Sequence, residues 1–116
     1  MATSMLVPKE GRARMTNEIL SVDIGELAPG EMKAVQHAGL SVLICNVDGE
    51  FYALENECSH AAVPLDEGTL RGCELECDFH GALFDVRSGK ALAMPATVAV
   101  RVFAVERRGR VLSIRV

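Results

Sequence analysis

A chain of 116 residues is one domain with a modest core, too short for a second. Hydrophobic residues make up 49% of it, which excludes a disordered chain, and no apolar run approaches the roughly 20 residues that span a bilayer. The net charge of −4 gathers in residues 55–85, where eight carboxylates face Arg71 alone, a local −7 that disfavours nucleic acid and anionic membranes as partners and suits a basic protein.

Residues 1–15 have no periodicity and a local charge of +2, from Lys9, Arg12 and Arg14 against Glu10. They are expected to form a flexible tail ahead of a single domain over 16–116. The same stretch lacks the apolar block of a signal peptide and has no twin arginine. With four cysteines and no export signal, a reducing cytoplasmic setting is expected, where cysteines are metal ligands or thiols more often than disulfides.

From residue 18 the patterning is β. Glu18 to Val22 reads as a first strand, followed by a turn at Pro29-Gly30, and Glu31 to Gln36 and Leu40 to Val47 read as the next two. Asp48-Gly49 tolerates positive φ at both positions and predicts a two-residue hairpin returning through Phe51 to Leu54. Gly68 and Gly72 punctuate two short strands that lead to Cys77. Ala82 to Val86 and Lys90 to Leu92 flank a turn at Arg87-Ser88-Gly89. Val98, Val100 and Val102 alternate with Ala99, Arg101 and Phe103, which predicts a half-buried strand. Arg108-Gly109 then turns the chain into a closing strand, Val111 to Val116. Short strands between turn residues predict an all-β fold, an antiparallel sandwich or barrel.

Two cysteine–histidine pairs stand out: Cys58-Ser59-His60, then sixteen residues, then Cys77-Asp78-Phe79-His80. One thiolate and one imidazole per loop is the donor set of a two-iron, two-sulfide cluster in which cysteines hold one iron and histidines the other. Two ferric ions, two sulfides and two thiolates sum to zero charge, so such a cluster is easier to reduce than an all-cysteine one. Cys₂His₂ is also a common zinc set. Structural zinc sites, however, pair like with like in C-x₂₋₄-C and H-x₃₋₅-H, unlike the spacing here. Cys45 reads as a buried strand thiol, Cys73 as part of a hairpin, and His37 as a solvated turn residue. Phe51 and Tyr52 read as packing residues, and Arg107-Arg108-Gly109-Arg110 as a basic hairpin tip.

Around these pairs the sequence resembles a Rieske ferredoxin of the kind that serves multicomponent ring-hydroxylating dioxygenases. The likeness runs from about Glu18 to Val116 and rests on Leu65-Asp66-Glu67-Gly68, on Cys77 through Asp85, on Gly89-Lys90-Ala91-Leu92 and on Pro95-Ala96. It implies a Rieske-type sandwich or barrel with a two-loop cluster-binding part over about 55–86. It also implies one 2Fe-2S cluster held by Cys58 and Cys77 on the inner iron and by His60 and His80 on the outer. The chain would then be an electron carrier and not an enzyme. Its partners would be a flavin-containing ferredoxin reductase and a terminal Rieske oxygenase of aromatic hydrocarbon catabolism. The alternative is a Rieske-fold small subunit of a larger redox complex such as nitrite reductase. Respiratory Rieske proteins bridge their two loops by a disulfide; the matching positions here are Val63 and Phe79. They also tend to place serine and tyrosine hydroxyls where this chain has Ala82 and Phe84. Fewer donors to sulfur imply a potential near the low end of the Rieske range, about −150 mV.

Overall fold

The computed structural model describes residues 18–59, 63–78, 81–94 and 98–116. The tail expected over 1–15, His60, His80 and the Pro95-Ala96 step lie outside the described residues. Ten antiparallel strands make two sheets among those described. The larger contains β1 (Ile19–Asp23), β2 (Met32–His37), β3 (Leu40–Val47), β4 (Glu50–Glu55), β9 (Val102–Arg108) and β10 (Val111–Arg115), in the order β1-β10-β9-β4-β3-β2. The smaller contains β5 (Thr69–Arg71), β6 (Glu74–Glu76), β7 (Leu83–Asp85) and β8 (Ala91–Ala93) in chain order. A 3₁₀ turn, Leu65–Glu67, leads into the smaller sheet. The architecture is the all-β near-barrel that the sequence predicts.

Local sequence sets the hairpins. Asp48 and Gly49 both take positive φ, 51° and 92°, and Val47 pairs with Glu50 across them, the two-residue turn expected of that dipeptide. The edge strands β1 and β2 of the larger sheet are tied by side chains: His37 Nε2 lies 2.8 Å from Glu18 Oε1, and Lys33 Nζ donates to the Asp23 carbonyl at 3.4 Å. His37 is therefore the partnered end of β2 and not a free turn residue, with its side chain 31% exposed.

Two hydrophobic clusters share β3. Val42 and Ile44 join Val22, Ile24, Phe51, Leu112 and Ile114 on one side, while Leu43 and Cys45 join Leu54, Leu65, Leu75 and Phe84 on the other. A strand buried on both faces reads as a continuous apolar run, and this is why Val42-Leu43-Ile44-Cys45 shows no alternation. Asn46 is the buried polar exception. Its Nδ2 donates to the Leu27 carbonyl and its Oδ1 accepts the Gly49 N–H, so the side chain pins the 24–30 loop to the hairpin.

The valine alternation predicted from Val98 onward is corrected. The strand begins only at Val102, with Val98 63% and Val102 37% exposed while Val100 is buried. Residues 98–101 instead cross between the sheets. The Val100 N–H donates to the Gly89 carbonyl, and the Arg101 carbonyl accepts the Glu55 N–H. Phe103 and Val105 then point inward from β9, so the apolar phase shifts by one residue where the crossing ends. Gly89 makes the crossing possible. It holds φ +79°, and a Cβ there would lie 1.9 Å from the Val100 carbonyl oxygen.

Candidate metal centre

The two cysteine loops leave the scaffold from different elements. The first follows β4 and ends at the 3₁₀ turn; the second joins β6 to β7. Both close in the same way, since the Cys58 N–H donates to the Val63 carbonyl at 2.9 Å and the Cys77 N–H to the Ala82 carbonyl at 2.7 Å. Each closure joins a residue to the one five positions on, so His60 and His80 fall in the sequence within the spans that the two bonds enclose. Both cysteines are buried, 2% and 1% exposed, in the cluster that holds Leu65, Leu75 and Phe84. The structure thus places Cys58 and Cys77 of the four expected ligands in one hydrophobic cluster, while His60 and His80 lie outside the described residues.

The feet of the loops differ. The second loop is a hairpin loop, with Glu76 paired to Leu83 in the β6–β7 ladder. The first has no ladder at its feet. There the Asn56 side chain crosses the loop, its Oδ1 accepting the N–H groups of Leu65 and Asp66, both at 2.9 Å. Sequence reasoning missed Asn56. The signal was available: Pro64, ahead of the 3₁₀ turn, makes no side-chain cap, so the first N–H groups of that turn need an acceptor from elsewhere.

A further tie runs from the first loop to the inter-sheet crossing, where the Ser59 hydroxyl donates to the Val98 carbonyl. Beside it opens a groove of about 200 Å³ lined by Glu55, Glu57, Cys58, Ser59, Val100 and Arg101. On the second loop Gly81 holds φ +73°, a conformation that the residue after His80 must take for the loop to turn back into β7. Glu57, Asp66, Glu67 and Asp78 are exposed around the loops. Arg71 pairs with Glu76 at 2.8 Å, and Arg101 approaches Glu55 at 3.6 Å.

Burial distinguishes the other cysteines. Cys45 lies in β3, and desolvation pushes its thiol up to about 12, far from thiolate formation at neutral pH. Cys73 is half-buried in the β5–β6 turn, its carbonyl accepting the Val86 N–H. The donor chemistry of Cys58 and Cys77 fits a thiolate-held metal group. The two are soft ligands on loops closed in advance by backbone hydrogen bonds, in a cluster of aliphatic and aromatic side chains that keeps water away.

Comparison with known proteins points the same way. Residues 17–104 match the family model of the Rieske 2Fe-2S domain. The ferredoxin component of biphenyl 2,3-dioxygenase from Rhodococcus jostii is 48% identical over 85 residues, covering 73% of this chain and 79% of that protein. Among solved structures, a chain from the complex of reduced oxygenase and oxidised ferredoxin in carbazole 1,9a-dioxygenase superposes with a TM-score of 0.81 at 34% identity, covering 85% of this chain and 94% of that one. The ferredoxin of carbazole 1,9a-dioxygenase from Nocardioides aromaticivorans superposes with a TM-score of 0.77 at 32% identity, covering 81% and 92%.

Proposed function

Because this chain belongs to the Rieske 2Fe-2S domain family, we propose that it is a ferredoxin carrying single electrons from a flavin-containing reductase to a terminal aromatic-ring-hydroxylating oxygenase. It is an electron-transfer component and not a catalytic subunit, as its relatives are named. The observation that carries the reading is the pair of alike-closed loops bearing buried Cys58 and Cys77, in a chain whose relatives are dioxygenase ferredoxins. Cys58, His60, Cys77 and His80 would hold one 2Fe-2S cluster, which supplies a centre that gains and loses one electron at a time.

The chain's own residues set how that centre is used. Leu65, Leu75 and Phe84 keep water from the cysteine side. Ala82 and Phe84, both buried, bring no hydroxyl to the loops, which favours a low potential suited to accepting electrons from a flavin. Exposed Glu57, Asp66, Glu67 and Asp78 offer a negative rim to a basic docking surface. An oxygenase partner is supported by the solved oxygenase–ferredoxin complex of a structural relative. The reductase and a cytoplasmic location follow from the same reading of the system and from the thiol-retaining cysteine pattern.

The test is absorption and low-temperature paramagnetic resonance of the purified protein before and after dithionite. A brown protein whose reduced form has an average g near 1.9 is expected, lost on substituting Ser for Cys58 or Cys77 or on substituting Ala for His60 or His80. A colourless protein with one zinc per chain would overturn the reading.

A further inference from the structure

We infer that Asn56 is the positioning residue of the first ligand loop, doing with one amide side chain what the β6–β7 ladder does for the second. The inference rests on the reading that Cys58 and His60 are cluster ligands.

The two loops place equivalent demands on the chain. Each presents a cysteine and a histidine, and each is closed inside by a cysteine N–H to a carbonyl five residues on. Only the second has paired strands at its feet, with Glu74, Leu75 and Glu76 opposite Asp85, Phe84 and Leu83. The first leaves β4 at Glu55 and its far foot is the 3₁₀ turn at Leu65, which has no ladder to hold it against β4. Unrestrained, the two feet would move independently and carry Cys58 and His60 with them.

Asn56 removes that freedom with both polar atoms of its side chain and with its backbone N–H. Its Oδ1 takes the N–H groups of Leu65 and Asp66. Its Nδ2 donates to Ser41 Oγ at 3.1 Å and to Asp66 Oδ1 at 3.3 Å, and its backbone N–H donates to the Ser41 carbonyl at 2.9 Å. Ser41 Oγ also accepts from Gln36 Nε2 at 2.9 Å, which extends the tie to β2. The loop is thus referenced to β3, the doubly buried strand, and Leu65, its far foot, is itself fully buried beside Cys58. No apolar side chain at position 56 can accept these two backbone N–H groups or donate to Ser41.

The side chain acts on the ligands through the loop, so the test needs a readout that lost stability alone would not move. Three variants are compared with the native protein: N56A, the exchange N56D/D66N, and V22A, which removes volume from the other hydrophobic cluster. In N56A, chelator-driven loss of the visible absorption is expected to accelerate about tenfold or more, as for the loss of two or more hydrogen bonds. The reduced-state g features should broaden as the ligands sample more than one orientation. The exchange variant keeps a carboxylate acceptor for both N–H groups and an amide donor facing it, with net charge unchanged. It should restore narrow g features and bring cluster loss to within about threefold of the native rate. V22A should lower the thermal midpoint and leave the g features as they are. Native-like retention and line widths in N56A would overturn the inference, as would an exchange variant as labile as N56A, or V22A broadening the features equally. Absence of a Rieske signal from the native protein would overturn the ligand reading instead, so the two failures are distinct.

Discussion

Ala82 is the residue at which one added oxygen should be felt most. It is fully buried, and its carbonyl closes the Cys77 loop. A serine there keeps the backbone bond and adds one hydroxyl within the loop. A net hydrogen bond of about 1 kcal/mol to a group that gains negative charge on reduction corresponds to roughly 40 mV for one electron. A82S is therefore expected to raise the midpoint potential by about that amount in a redox titration; an unchanged midpoint would mean that donor shortage at this position does not hold the potential down. Cys45 gives the complementary residue-scale prediction. With its thiol pushed up to about 12 by burial in β3, it should resist iodoacetamide at pH 8 in the folded protein and react once urea unfolds it, as read by mass spectrometry. Both residues were legible from sequence, because burial of a cysteine among Leu43 and Ile44 and the contrast of Ala82 with a serine need only local context. Asn56 was legible only in part: the turn after Pro64 announced the need for an outside acceptor, but that Leu65 and Asp66 reach back to Asn56 across the loop depends on the fold.

At the scale of elements, the β7–β8 turn and the crossing behind it test the same local logic. Asp85 accepts the Arg87 side chain at 2.9 and 3.0 Å and also the Arg87 backbone N–H, and these bonds hold its carboxyl below the usual 3.8. A carboxyl with a depressed folded-state value stabilises fully above its unfolded value and loses that contribution as pH falls through the folded one. Urea midpoints should therefore fall below about pH 4 more steeply in the native protein than in D85N, which lacks the titrating group. Gly89, at the end of this turn, needs both its positive φ and the space that a Cβ would take from the Val100 carbonyl. G89A is expected to cost about 2 kcal/mol or more in urea unfolding, by strain and by displacement of residues 98–101. The turn itself was legible as Arg87-Ser88-Gly89, but the path of 98–101 was not. Three valines at alternate positions satisfy a strand template, and only the contact of Val100 with Gly89, a pairing between segments, decides that the chain is still crossing there. The hairpin at Asp48-Gly49 lies at the other extreme, because its geometry is fixed by two adjacent residues.

Over the whole molecule, charge is sorted along the larger sheet. β4 and β9 run antiparallel, with Leu54 opposite Val102, so the Cys58 loop leaves one end of the sheet while the β3–β4 and β9–β10 turns lie at the other. Arg107, Arg108 and Arg110 cluster at that far end, Arg107 stacked 5.1 Å from the Phe51 ring and Arg110 paired with Asp23 at 3.2 Å. The six residues of β4 span about 20 Å, which is two screening lengths at 0.1 M salt. A partner docking at the Cys58 end therefore feels the acidic rim strongly and the basic turn weakly. Electron transfer to a partner with a basic docking face should slow as ionic strength rises. Neutralising Glu57, Asp66, Glu67 and Asp78 to their amides should flatten that dependence and lower the association rate at low salt. Neutralising Arg107, Arg108 and Arg110 to glutamine raises the net negative charge by three and should leave the salt slope nearly as it was. Stopped-flow reduction of ferric cytochrome c, a strongly basic acceptor, by the dithionite-reduced protein between about 10 and 500 mM salt measures both slopes, with Debye lengths running from about 30 Å to below 8 Å. If the arginine variant changed the slope as much as the rim variant, encounter would be governed by overall charge, and the rim would have no local role in docking.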